Sequence, residues 1–258
     1  MKRIWMTSLV SSEDTVKDVM GKLKTYGLEI NGHFWEDDLE KMAWSKARGE
    51  LIDPEVALWI ILATAQELST PTLLYGLSLL SLTVQAQRGL GFPIVFLLSE
   101  GQPPSPESLP TPLKSAEFLS STDTAFGAKL VAKVHTAVKE QAADYRLDVY
   151  GNPQLGQWFE IGPQHESWTG VMMGVAGAEI TFQAVGPKGS LPSKSVINYP
   201  LEGLKLTLGE KEYVAWAVQN EVDPDNSYFA KIEGFPESVV FGPYSSEEET
   251  EVHVVQLK

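Results

Sequence analysis

The chain has 258 residues, enough for one large domain or two modest ones, and 43% of them are apolar, enough to bury real cores. A formal net charge of -14 argues against a nucleic-acid partner, which would need a basic face, and against docking on anionic membranes. There is no cysteine, so disulfides, thiol nucleophiles and cysteine-ligated metals are excluded, and a reducing cytoplasm is the expected compartment.

The opening MKRIWMTSLVSSED has basic residues and a short apolar run, but Glu13 and Asp14 follow too soon for a signal peptide. RIWMTSLV, residues 3–10, predicts a first strand. SSED then starts a helix, with Ser12 as cap and two acids on the first turn, and Val16, Val19, Met20 and Leu23 recur at helical spacing up to Gly27. LEINGHFW, 28–35, predicts a second strand. Residues 38–48 carry Leu39, Met42, Ala43 and Ala47, a helical period. Pro54 introduces a third strand, 56–63, whose lack of polar alternation suits a central strand covered on both faces.

Ser69-Thr70-Pro71 starts a nearly all-apolar helix that runs to Arg88, where Gly89 ends it. Its serines, Pro71 and Gly76 mark it as core and not as a membrane span. FPIVFLLS, 92–99, predicts a fourth strand. Residues 102–112 are a proline-rich loop, 117–120 a short fifth strand, and Thr122 or Asp123 caps a last helix to about Gln141. Strands alternating with helices imply a parallel, doubly wound sheet; five strands imply flavodoxin-like order, with a ligand crevice at the carboxyl ends of strands one and three.

From about Tyr145 the helical period disappears. Short alternating runs take its place at 157–161, 168–175, 179–185, 195–199, 204–208, 213–218, 228–232, 239–241 and 251–257. They predict an antiparallel β-sandwich. The expected organisation is an α/β domain over 1–143 and a β-sandwich over 150–258, with the boundary between Ala142 and Gly151. The acidic run Glu247–Glu251 is expected to be a solvated turn.

The first half resembles TIR (Toll/interleukin-1 receptor) domains and their bacterial relatives. TSLVSSED resembles the family's first strand and Ser/Asp turn, Gly27 with LEINGHFW its entry to the second strand, and ALWIILAT and FPIVFLL its third and fourth strands. The resemblance implies a role in assembly and, in enzymatic members, NAD cleavage by a glutamate on the helix after the third strand. That glutamate would fall near Tyr75 or Gly76, and neither is acidic; the family's tryptophan–cysteine pair on that helix is also missing. Other folds of this topology fit less well. A receiver would need an aspartate at the end of LWIILATAQ, and a flavodoxin phosphate loop would not carry the two acids of TSLVSSED.

The nearest carboxylate to the crevice is Glu67, the one candidate catalytic residue. With Ser8, Trp35 and Asp37 it would line the strand ends, where an acid stabilises an oxocarbenium-like ribose as nicotinamide leaves; the alternative is a solvated loop glutamate. WEDDLEKMAWSKARGE, with Trp35, Asp37 and Trp44, reads either as a mobile recognition loop or as an amphipathic helix with Trp44 packed. In the second half, Trp158, His165 and Trp168 offer a surface for a sugar or peptide, or they are core. The four histidines are scattered and HExxH is missing, so no metal is expected; GxGxxG, GxxxxGK[ST] and GxSxG are missing too. The expectation is a non-catalytic recognition or signalling protein without a cofactor. Its partner would be another protein or a second copy, with a small nucleotide also open. The alternatives are an NAD glycohydrolase, with NAD as substrate, and a carbohydrate-binding protein.

Overall fold

The computed structural model describes residues 2–137, 143–244 and 251–258. The chain divides into two compact units, Met1–Gln141 and Ala142–Lys258. The first is α/β, with a five-stranded parallel sheet and helices; the second is an antiparallel β-sandwich.

In the first unit the elements are β1 (Arg3–Ser8), α1 (Glu13–Lys24), β2 (Glu29–Phe34), α2 (Arg48–Leu51), β3 (Val56–Thr64), α3 (Pro71–Arg88), β4 (Ile94–Glu100), β5 (Glu117–Ser120) and α4 (Phe126–His135). All strand pairs are parallel, in the order β2-β1-β3-β4-β5. The chain order therefore reverses between β1 and β3, where a flavodoxin-like sheet opens its crevice. Ser12 caps α1 as expected, its hydroxyl accepting from the Thr15 amide at 3.3 Å.

Each face of this sheet buries a different helix layer. Ile4, Met6, Leu58, Ile60, Leu62, Val95 and Leu97 pack on Val19 and Leu23 of α1 and on Leu130 and Val134 of α4. Alternation along β3 sends Trp59, Ile61 and Ala63 to the opposite face, all fully buried. Helix α3 is buried on every side: Tyr75 through Gln85 are all buried, polar residues included. Its serines and glutamine meet that burial with local partners. Ser78 Oγ donates to Leu74 O (2.7 Å), and Ser81 Oγ and Gln85 Nε2 donate to Pro112 O at 3.0 and 2.8 Å. The proline-rich loop thus covers α3 through its second 3-10 turn, Thr111–Leu113, where Pro112 and Leu113 are buried.

Two expected helices are shortened. Residues 38–48 do not form one helix. Asp38 Oδ1 accepts the Lys41 amide (2.9 Å) and Met42 takes a left-handed φ of 51°, leaving a 3-10 turn, Ala43–Ala47, before α2. Local side-chain bonding won over propensity there. Helix α4 starts at Phe126, because Asp123 spends its Oδ1 on the Ala125 amide (2.9 Å) in the turn before it. It ends at His135, with Thr136 extended; the expected continuation over 138–141 lies outside the described residues.

The second unit comprises β6 (Tyr145–Asn152), β7 (Gly156–Pro163), β8 (Val171–Pro187), β9 (Leu201–Leu208), β10 (Lys211–Val218), β11 (Asn226–Pro243) and β12 (His253–Gln256). Four expected runs merge into two long strands, β8 and β11, which pair with each other along most of their length. Register shifts at Lys231/Ile232 and Gly234/Ser238 bend them, with Gly177 and Gly234 at φ 74° and 88°. Strands β6 and β7 extend the sheet from the first half of β11. Strand β12 pairs with its second half, and β10 and β9 extend from the first half of β8. Tyr145 of β6 meets Phe241 of β11 edge-on at 5.0 Å, closing the arms over the core. Strand β6, Tyr145–Asn152, takes up most of the stretch 142–151 that reads as a boundary in the sequence. The expected run at 195–199 is not a strand. There, Ser195 Oγ accepts the Val185 amide and the Asn198 amide donates to Asn220 Oδ1, both at 2.8 Å. Of the acidic run 247–251, residues 247–250 lie outside the described residues.

The buried Trp59 Nε1 donates to Thr7 Oγ1 at 2.9 Å, joining β3 to β1. Thr7→Val keeps the shape and removes the acceptor, so the indole N–H is left unpaired in the core. A loss of about 1–3 kcal/mol is expected in denaturant titrations of unfolding; an unchanged midpoint would show that the bond carries no weight.

Candidate functional site

The site is the carboxyl edge of β1, β2 and β3. Here the backbone is tightly joined: the Leu9 amide donates to Leu62 O and the Trp35 amide to Ser8 O, both at 2.8 Å. Ser8 is buried, and its hydroxyl donates to Val10 O (2.7 Å), holding the exit of β1. Its oxygen is thus engaged in the turn.

Trp35 leaves β2 and lays its ring on helix α3. A Cβ built on Gly76 would stand 2.7 Å from Trp35 Cζ2 and 3.5 Å from Leu39 Cδ2, so only a glycine admits the ring. The Trp35 indole N–H is buried and meets no acceptor among the described residues. Two residues on, Asp37 Oδ2 accepts the Thr72 hydroxyl at 2.6 Å, fastening the same loop to the first turn of α3. The next position up the helix offers no alternative, because Tyr75 is wholly buried.

Glu67 follows β3. Its Oε2 accepts the Thr64 amide at 2.7 Å and the Thr64 hydroxyl at 3.2 Å, while its own amide donates to Thr64 Oγ1 at 3.3 Å. This reciprocal Thr-x-x-Glu pairing is a capping box on the turn that leads to α3. Trp44 lies in the 3-10 turn and is only 1% exposed, so it is core beneath the loop and presents no ring to a ligand. Ser8, Trp35 and Asp37 are therefore brought together at the crevice with Glu67 on the neighbouring strand end, and Trp44 is not.

His33, beside Trp35, was not singled out by sequence reasoning. Its Nδ1 accepts the Trp5 indole N–H at 3.1 Å, which places its own proton on Nε2, and its ring lies 5.8 Å from that of Trp5 and 6.5 Å from that of Trp35. Burial pushes its pKa below the usual histidine value of 6.5. Gly76 was the other missed participant, and a glycine inside an apolar helix is the signal that marks it.

In the second unit, Trp158 stands on β7 and donates its N–H to Leu155 O (2.9 Å). Its ring meets Phe182 of β8 in a T-shape at 5.8 Å, and Phe182 is 54% exposed. Trp168 is instead held by a two-bond bridge to Val222, 2.9 Å each way, and His165 is exposed in the loop before it. The aromatic pair on the surface is thus Trp158 with Phe182. The sequence did not flag Glu160, a buried carboxylate. It accepts from the Tyr150 hydroxyl, the Ser227 hydroxyl (2.7 Å) and the Gly189 amide (2.9 Å), linking β6, β7, β11 and the loop after β8.

Among the described residues no three His, Asp or Glu side chains gather to hold a metal, and no helix is long and apolar enough to cross a membrane. No family model matches the chain, and no curated protein matches it.

Two measurements test this geometry. Gly76→Ala is expected to destabilise by about 1–3 kcal/mol, because the new methyl overpacks a tryptophan ring. In a Trp35→Ala background the same change is expected to be neutral or stabilising, since alanine is the better helix former by about 1 kcal/mol. Equal penalties in both backgrounds would show that Trp35 does not sit on Gly76. The second concerns pH. His33 has a lowered folded pKa, so the unfolded chain takes up its proton first as pH falls. Its contribution is intact above about 6.5 and is lost as pH drops through that value toward the folded one. His33→Gln is expected to flatten the stability profile in that window; an unaltered profile would contradict the assignment.

Proposed function

We propose that this protein is a non-catalytic recognition protein of the cytoplasm, in which a TIR-like first unit mediates assembly and the second unit binds a ligand or partner. The strand order β2-β1-β3-β4-β5 and the nearly all-apolar helix after β3 support the resemblance to TIR domains. The seat of Trp35 on Gly76 carries the rest. Enzymatic members of that family would present a glutamate near this turn of α3; here position 76 admits no side chain and position 75 is buried. Glu67, the candidate catalytic acid, closes a capping box with Thr64. A carboxylate that stabilises the departing ribose must face the substrate, and this one faces its own turn. No cofactor is needed for such a role. The cysteine-free composition supports the compartment. The pair of half-buried Trp158 and exposed Phe182 is the surface we assign to the ligand or partner of the second unit.

The test is incubation of the full chain with NAD, from dilute to high concentration, with chromatographic detection of nicotinamide. No release above the spontaneous rate is expected, from the natural chain or from Glu67→Ala. Release that disappears in Glu67→Ala would replace this reading with an NAD glycohydrolase.

A further inference from the structure

The assembly reading leaves open which surface of the first unit meets a partner, and the two edges of its sheet differ in a way that answers this. Strand β5 is the edge beside β4. It is four residues long and carries Glu117, paired with Lys133 of α4 at 2.5 Å. A short, charged strand is an ordinary way to blunt an edge. Strand β2 is the other edge; like β5 it begins with a single glutamate, but it is the longer of the two. It is six residues long, contains no proline, lysine or arginine, and keeps an unbroken register with β1. Its one charge, Glu29, is at its start. Glu29, Asn31, Gly32 and Phe34 are exposed, Phe34 at 47%.

The backbone bonding of β2 fixes which of its groups are free. The Glu29 amide donates to Lys2 O and the Trp35 amide to Ser8 O, so the odd-numbered residues turn their amides toward β1. In a parallel ladder the alternate residues turn theirs away. Ile30, Gly32 and Phe34 therefore hold a row of outward donors and acceptors. A second copy of the same strand, running antiparallel about a two-fold axis at Gly32, satisfies all of them: Gly32 faces Gly32, and Ile30 faces Phe34 twice. No like charges fall directly opposite one another in this register. Asn31 falls opposite His33.

We propose that β2 is a self-association edge, through which two copies of this chain join their parallel sheets into one continuous sheet. The proposal rests on the assembly reading and names its surface. An isologous contact of this kind closes on itself, so it yields a dimer and not a filament.

The experiment is sedimentation analysis of the full chain over a wide concentration range, alongside Asn31→Lys, Phe34→Lys and, on the opposite edge, Ser120→Lys. Circular dichroism confirms that each variant is folded. A dimer is expected, with its dissociation constant raised about tenfold or more by either β2 lysine, which places unpaired charge on the edge, and unchanged by Ser120→Lys. Hydrogen exchange of the natural chain supplies a reading free of mutations: the amides of Ile30, Gly32 and Phe34 are expected to gain protection as concentration rises. A dimer indifferent to both β2 lysines, without that protection, would overturn the edge while leaving assembly in place. A monomer at every concentration would overturn both.

Discussion

Burying helix α3 on all its sides is the constraint from which the rest of the first unit follows. A helix with almost no polar face cannot remain against one sheet in water, because its outer side would stay hydrated at a cost that scales with apolar area. The chain therefore spends two segments on covering it. One is the stretch after β2, which brings Trp35, Leu39 and Trp44 against or beneath the helix. The other is the proline-rich stretch before β5, whose Pro112 carbonyl takes the hydrogen bonds of Ser81 and Gln85. Both loops look irregular, and both have regular work: they close a core that the sheet alone leaves open. The same covering fills the turn of α3 that faces the crevice. Gly76 is the point where the core requirement and the site meet, since the glycine that admits Trp35 also removes the place for a reactive side chain.

Much of this architecture is legible in the residues. The unalternating run of β3, the Thr70-Pro71 helix start and the terminating Gly89 locate the centre of the sheet and its buried helix closely. Strand order follows from the alternation of elements. What escaped was set by competition between local bonding and pattern. Residues 38–48 have a helical apolar period, yet Asp38 binds the backbone at Lys41 and Met42 turns left-handed, so the period is satisfied by packing and not by a helix. In the second unit four runs read as separate strands because Gly177 and Gly234 look like turn residues. They are bends inside two long strands.

The candidate site was legible in its members more than in their roles. Ser8, Trp35, Asp37 and Glu67 do lie at the carboxyl ends of the first strands, as the crossover order requires. Their partners could not be read from spacing. The link from Asp37 to Thr72 joins residues far apart in sequence, and the capping box of Glu67 with Thr64 looks, as a string, like any loop acid. Among the tryptophans the distinction is one of burial. Trp44 and Trp59 are core, while Trp158 shares an exposed face with Phe182, a residue that drew no notice because the run around it alternates like any half-buried strand.

Trp35 lays its ring on α3 at Gly76, and its buried indole N–H reports on that seat most directly. Hydrogen exchange at that one proton, followed by NMR in the full chain with and without NAD, separates a closed seat from an open one. Slow exchange and a resonance that NAD does not shift are expected. Fast exchange, or a shift that saturates as NAD is added, would mean that the ring leaves Gly76 and that the crevice admits a nucleotide after all.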